Sequence, residues 1–134
     1  MKMTLRWYGS KFDTVTLQQI KQIPGVSGVI TTLYDMPAGD LWPEERIKAL
    51  KNEVEKAGLK IEGIESVNIH DSIKIGDKNR DKYIDNYIKT LENLGKQKID
   101  MVCYNFMPVF DWLRSTLNYT MEDGSTCLIF KEEE

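Results

Sequence analysis

The segment Met101–Arg114, MVCYNFMPVFDWLR, decides how the fold is interpreted, because an apolar strand runs directly into a loop rich in aromatic residues. The large aromatic side chains of this loop are Tyr104, Phe106, Phe110 and Trp112. Because such side chains favour burial, we expect the loop either to cover a cavity or another chain, or to cap its own core. Asn105 directly follows the strand, and parallel α/β folds bind ligands beyond the carboxyl ends of their strands. The segment therefore predicts a site at this strand end.

Upstream of this segment, strand-like and helix-like stretches alternate along the chain. Strands are predicted at about residues 4–8, 28–33, 60–65 and 100–104. Helices are predicted to begin after Thr16, to run between Pro43 and Gly58, and to run between Asn79 and Gly95. This alternation predicts a parallel sheet with sequential strand order, right-handed crossovers and three helices on one face. Residues 115–134 contain the turn signal Asp123-Gly124-Ser125 and do not predict a fourth helix.

Local signals specify the helices. Thr16 and Gln19 have the spacing of a capping box, and Ile47, Leu50 and Val54 have the spacing of one buried helical stripe. The buried face of the last helix is predicted to consist of Ile84, Tyr87, Ile88, Leu91 and Leu94. The intervening residues 67–78 are predicted to be a loop. Cys103 and Cys127 do not form a CxxC pair, and Cys103 is predicted to be a buried, reduced thiol.

Composition indicates one ordinary globular domain over residues 1–134. The formal net charge is −3, with no clustered basic face, which argues against a nucleic-acid partner. No stretch approaches the roughly 20 apolar residues that a membrane-spanning helix needs. The expected location is the cytoplasm, and a homo-oligomer is one possible assembly.

The predicted elements correspond to part of a known architecture. A complete (β/α)8 barrel takes about 250 residues, so four parallel strands and three helices make about half of one. A half barrel leaves two strand edges without partners. We therefore interpret the fold as α/β, a partial (β/α)8 TIM barrel, and expect the chain to be a truncated, amino-terminal portion of that barrel.

Five separated blocks resemble one enzyme family. They are LRWYG at 5–9, IPGVSGV at 23–29, GIESVNIHD at 63–71, NRDKYIDNY at 79–87 and VCYNFMPVFDW at 102–112. Their order and spacing resemble the amino-terminal part of mannonate dehydratase, a barrel of the xylose isomerase-like group. The resemblance implies a lyase that converts D-mannonate into 2-dehydro-3-deoxy-D-gluconate and water in hexuronate (glucuronate) catabolism.

The family also implies a divalent metal, Mn²⁺ or Fe²⁺, that stabilises the charge formed when the proton on C2 is removed. The family's metal ligands lie in later strands, so we expect them beyond Glu134 and assign none here. Such sites gather several imidazole and carboxylate ligands, and His70 is the one histidine of this sequence. The chain alone is therefore expected to be inactive. The alternatives are a related sugar isomerase or epimerase, and a non-catalytic fragment that acts as an interaction module.

No catalytic residue is assigned, but six residues are candidates for binding a small sugar-acid substrate: Arg6, Trp7, Glu65, His70, Asn105 and Trp112. Arg6 is suited to hold a carboxylate, or alternatively to form an internal salt bridge with Glu65 on a strand expected to be its neighbour. The two tryptophans could line a pocket or belong to the core. His70 could contact substrate, cover the pocket mouth or face solvent. Asn105 could bind hydroxyl groups or satisfy loop backbone groups.

Overall fold

The computed structural model of the protein describes residues 1–107 and 113–132. The described strands are β1 (Met3–Arg6), β2 (Val26–Thr31), β3 (Lys60–Glu65), β4 (Val102–Cys103), β5 (Thr116–Thr120) and β6 (Thr126–Ile129). The described helices are α1 (Leu17–Lys21), α2 (Glu44–Lys56), α3 (Asp71–Lys74) and α4 (Arg80–Lys96).

The first four strands form one parallel sheet in the order β1-β2-β3-β4. The predicted strand order and direction are therefore confirmed. β1, β2 and β3 pair along most of their lengths, whereas β4 adds two residues, Val102 beside Ile64 and Cys103 beside Glu65. β5 and β6 pair with each other as an antiparallel hairpin, in a second sheet.

One apolar cluster joins the sheet to the helices. The fully buried residues Val29 and Ile64 contribute from β2 and β3, and the predicted stripe Ile47, Leu50 and Val54 contributes from α2. The capping box at α1 is also confirmed, because the Thr16 side chain accepts from the Gln19 backbone N–H while the Gln19 side chain accepts from the Thr16 backbone N–H.

The prediction of three helices is wrong, since the structure has a fourth, α3, within the segment predicted as a loop. His70 is its N-cap residue, and the imidazole Nδ1 accepts a hydrogen bond of 3.0 Å from the Ser72 backbone N–H. A helix of one turn has no apolar periodicity, and histidine is not among the usual capping residues. The sequence pattern therefore gave no sign of it.

The predicted buried face of α4 is wrong in part. Leu94 is buried and Tyr87 packs against the core, but Ile84, Ile88 and Leu91 are 37%, 48% and 38% exposed. A helical face is buried only where another element covers it. α4 contacts α2 and α3, and these contacts leave Ile84, Ile88 and Leu91 exposed. Cys103 is likewise exposed rather than buried. α4 continues past Gly95, its predicted end, to Lys96, and the left-handed residue after it is Lys98, with φ of 59°.

Candidate functional site

The carboxyl ends of β1, β2 and β3 border a cavity of about 140 Å³, here called the cleft. Arg6 ends β1, Glu65 ends β3, and His70 begins α3, so three of the predicted site residues line it together. The other lining residues come from the loop after β2, from the segment after β3, from α3 and from α4: Thr32, Leu33, Tyr34, Met36, Pro37, Gly39, Asp40, Trp42, Ser66, Val67, Asn68, Ile73, Tyr83 and Tyr87. The cleft therefore lies where parallel α/β folds bind ligands.

Arg6 is held by two partners at the edge of the cleft. Its Nη1 lies 2.7 Å from Glu65 Oε2, and its Nε donates to the Tyr34 hydroxyl over 2.9 Å. The ion pair with Glu65, one of the two alternatives predicted for Arg6, is thus present. The predicted adjacency of the two strands is wrong, because β1 and β3 flank β2 and the pair spans the end of that strand. A guanidinium carries more N–H groups than these contacts use, so Arg6 retains donors for a ligand.

Burial and charge act in opposite directions on these groups. Partial burial lowers the pKa of Arg6, but the hydrogen bond with Tyr34 and the charge of Glu65 outweigh it, and the net pKa is raised. Burial raises the pKa of Tyr34, and its contact with Arg6 offsets only part of that rise. At neutral pH the cleft therefore holds a charged guanidinium beside a protonated phenol.

Tyr34 was not predicted as a site residue. It lies in the loop after β2, and its ring centroid is 5.5 Å from that of Tyr8 and 6.0 Å from that of Phe12. Asn105 was selected because it follows a strand of the parallel sheet, and Tyr34 follows such a strand as well. Asn68, which follows β3 and lines the cleft, could have been found by the same argument.

His70 is half-buried, and it lines both the cleft and an adjoining cavity. The imidazole stacks on the Tyr83 ring with centroids 3.6 Å apart and an interplanar angle of 9°. The ring is therefore fixed on one side by α4 and at Nδ1 by the α3 backbone.

Asn105 lines the adjoining cavity rather than the cleft. The two cavities share Asn68 and His70 as lining residues, so Asn105 lies near the same edge of the sheet as Arg6 but in a separate depression. Substrate contact by Asn105 stays a prediction.

The two predicted tryptophans have different outcomes. Trp7 is 2% exposed, belongs to the apolar core and borders a different cavity with Ser10 and Leu17. The core alternative therefore describes Trp7, which does not line the cleft. Trp112 lies outside the described residues.

The described residues do not fit a divalent metal centre. Within residues 1–107 and 113–132, no group of three or more His, Cys, Asp or Glu side chains is placed so that it could hold an ion. The Nδ1 of His70 already accepts a hydrogen bond from the Ser72 backbone N–H.

None of the helices in the described part of the chain has the length and apolar character needed to cross a membrane.

Comparisons with known proteins agree over the whole chain. The family model for D-mannonate dehydratase (UxuA) matches residues 1–134. The chain is 67% identical over 133 residues to the mannonate dehydratase of Brachyspira hyodysenteriae, and 57% identical over 134 residues to that of Lactococcus lactis subsp. cremoris. These alignments cover 99% and 100% of this chain but 38% and 37% of the two relatives.

A solved structure gives the same result. The crystal structure of mannonate dehydratase from Streptococcus suis serotype 2 superposes with a TM-score of 0.89 at 53% identity. The match covers 99% of this chain and 38% of that chain. The present chain therefore spans about 38% of the length of the proteins that it resembles.

Proposed function

Since this chain belongs to the D-mannonate dehydratase family, we propose that it supplies the cleft that holds the substrate carboxylate in an enzyme that dehydrates D-mannonate to 2-dehydro-3-deoxy-D-gluconate. The observation that carries the proposal is Arg6, a cation fixed by Glu65 and Tyr34 at the carboxyl edge of a sheet whose sequence matches the family throughout. A guanidinium can hold a carboxylate by two parallel hydrogen bonds.

In this proposal Arg6 binds and orients the substrate and does not transfer a proton. Removing the proton on C2 next to a carboxylate increases the negative charge on that carboxylate, and a fixed cation stabilises this charge. Glu65 and Tyr34 keep the guanidinium in place before the ligand arrives, which lowers the cost of orienting it. No described residue is assigned to proton removal.

The Mn²⁺ or Fe²⁺ implied by the family is assigned to residues other than those described, because the donor set of the described residues does not fit such an ion. No step of the reaction is therefore derived through the metal. A cytoplasmic location and a homo-oligomeric enzyme belong to the same proposal, and cell fractionation and light scattering test them.

The test is a chimera in which this chain replaces the aligned part of the Streptococcus suis enzyme. The structural match over 99% of the chain makes the exchange feasible. We expect the chimera to form the 2-keto product from D-mannonate with Mn²⁺, and the 134-residue chain assayed beside it to form none. A chimera that folds but turns over only other sugar acids or sugars would favour an isomerase or epimerase instead.

Replacing Arg6 separates the proposed role from a purely structural one. In the chimera, we expect Arg6→Gln to lower kcat/KM by about 10- to 100-fold, since a hydrogen bond to a charged group contributes roughly 1.5–3 kcal/mol. Arg46→Gln is the matched control, because Arg46 forms its own ion pair of 2.7 Å with Asp35 and does not line the cleft. Equal losses in the two variants would contradict the proposed role of Arg6.

A further inference from the structure

Three separate segments meet at one wall of the cleft: Gly39 in the loop after β2, His70 at the start of α3, and Tyr83 in α4. A Cβ atom built on Gly39 would lie 2.6 Å from Tyr83 Cδ1 and 2.8 Å from both Cβ and Cδ2 of His70. Asn86, one turn after Tyr83, donates to the Gly39 carbonyl over 2.9 Å. α4 thus contacts both the loop and the imidazole ring.

The hydrogen bond at α3 fixes the protonation pattern of the neutral imidazole. Ser72 donates its backbone N–H to Nδ1, so Nδ1 must carry a lone pair and the ring proton must lie on Nε2. Within residues 1–107 and 113–132, Nε2 has no hydrogen-bond partner, although His70 lines the cleft and the adjoining cavity. The ring therefore offers a donor that none of the described residues uses.

We propose that His70 is a ligand-binding donor whose Nε2–H hydrogen-bonds an oxygen atom of the bound sugar acid, with Gly39 and Tyr83 as positioning residues. The ligand class rests on the function proposed above, whereas the tautomer and its positioning rest on the contacts alone. The stack on Tyr83 and the backbone donor at Nδ1 fix the ring in two directions. Gly39 is required because any side chain at that position would displace the stack.

The first experiment measures the tautomer directly. His70 is the one histidine of the chain, so a two-bond ¹H–¹⁵N correlation spectrum of the 134-residue protein contains a single imidazole. Recorded at about pH 8.5, above the ordinary histidine range, the spectrum is expected to show a protonated Nε2 and an unprotonated Nδ1. A protonated Nδ1, or exchange between the two forms, would overturn the proposal.

The second experiment separates the collision with the stack from backbone strain. Gly39 has φ of +84°, and Gly25 has φ of +83° with no atom within 4 Å of its would-be Cβ. Gly39→Ala and Gly25→Ala therefore share the backbone cost but differ in the collision. We expect the fixed tautomer to be lost in Gly39→Ala and kept in Gly25→Ala. If Gly39→Ala does not fold, Tyr83→Leu tests the same contact, and Tyr83→Phe, which keeps the stack, should behave as wild type.

The third experiment adds D-mannonate, as the probe, to the same 134-residue protein. We expect it to shift the NMR signals of His70 Nε2 and of the Tyr34 ring together. His70→Asn, which keeps an N-cap acceptor for Ser72, should weaken binding about tenfold, the usual size of one hydrogen bond. Shifts at Tyr34 without any change at His70 would overturn this inference and leave the proposed function standing. No shift at either residue would overturn both.

Discussion

The edge of the sheet formed by β1, β2 and β3 differs sharply from three more exposed parts of the molecule, here grouped as the outer region: β4, the face of α4 that carries Ile88, and the hairpin. Ile64 in β3 is fully buried, whereas Ile88 in α4 is 48% exposed and Leu117 in β5 is 72% exposed. Hydrophobicity does not separate these residues, because all three are large and aliphatic. What differs is how far neighbouring elements cover each residue, since β3 lies between two strands whereas the described structure leaves about half of Ile88 exposed.

The same contrast governs polar groups. In the cleft, Arg6, Tyr34 and Glu65 are joined across three different segments. Asn86 and Asn93 of α4 donate to the carbonyls of Gly39 and Trp42, two residues of the loop after β2 that line the cleft. In the hairpin, Asp123 accepts from Ser125, and the Ser115 hydroxyl accepts from the Lys131 backbone N–H, so these side-chain hydrogen bonds stay within the hairpin and its flanks. A functional site is therefore expected where long-range contacts fix the side chains.

The largest expected effect compares two identical substitutions, one in each region. Ile64→Ala should lower the free energy of unfolding by roughly 2–5 kcal/mol, because it leaves a cavity beneath the sheet. Ile88→Ala should change it by no more than about 0.5 kcal/mol, because Ile88 is half exposed. Urea denaturation followed by circular dichroism measures both. Similar losses in the two variants would mean that Ile88 is covered in solution, for instance by self-association.

A second pair of substitutions concerns two buried threonines. Thr90 in α4 and Thr31 in β2 are both fully buried, but Thr90 Oγ1 accepts from the Trp42 backbone N–H over 3.1 Å, whereas Thr31 Oγ1 has no partner among the described residues. Thr90→Val should therefore cost about 1–3 kcal/mol by leaving the Trp42 N–H unpaired. Thr31→Val should be neutral or stabilising. A comparable loss at both sites would indicate that Thr31 has a partner in solution, such as a bound water.

The elements defined by local signals were predictable from the sequence. The capping box at Thr16 and the stripe of Ile47, Leu50 and Val54 depend on residues within one helix, and the strand order follows from the alternation of strands and helices. The errors have two sources. The burial of Ile88 depends on which element packs against α4, whereas α3 is a single turn without apolar periodicity, capped by an imidazole rather than by a usual capping residue.

The candidate site was predictable in position more than in detail. A site was predicted beyond the carboxyl end of a parallel strand, and Arg6, Glu65 and His70 do line one cleft at that edge of the sheet. The ion pair was one of the two alternatives stated for Arg6, but the contact of Arg6 with Tyr34 was not predicted, because a loop after a strand can place a side chain in many directions. For Trp7 the sequence left a pocket wall and the core as alternatives, and the structure places this neighbour of Arg6 in the core.

The smallest expected effect is a pH dependence confined to the cleft. Burial raises the folded-state pKa of Tyr34 above its ordinary value of 10.0, even though Arg6 opposes the rise. The protonated phenol therefore contributes stability that is fully present below about pH 10 and is lost as the pH rises through the folded-state pKa. Tyr34→Phe removes this titration, so its free energy of unfolding should fall less steeply than that of wild type between roughly pH 9 and pH 11. Urea denaturation at a series of pH values measures the two slopes. Parallel slopes would contradict the burial of Tyr34 and, with it, the contrast between an enclosed cleft and an open outer region.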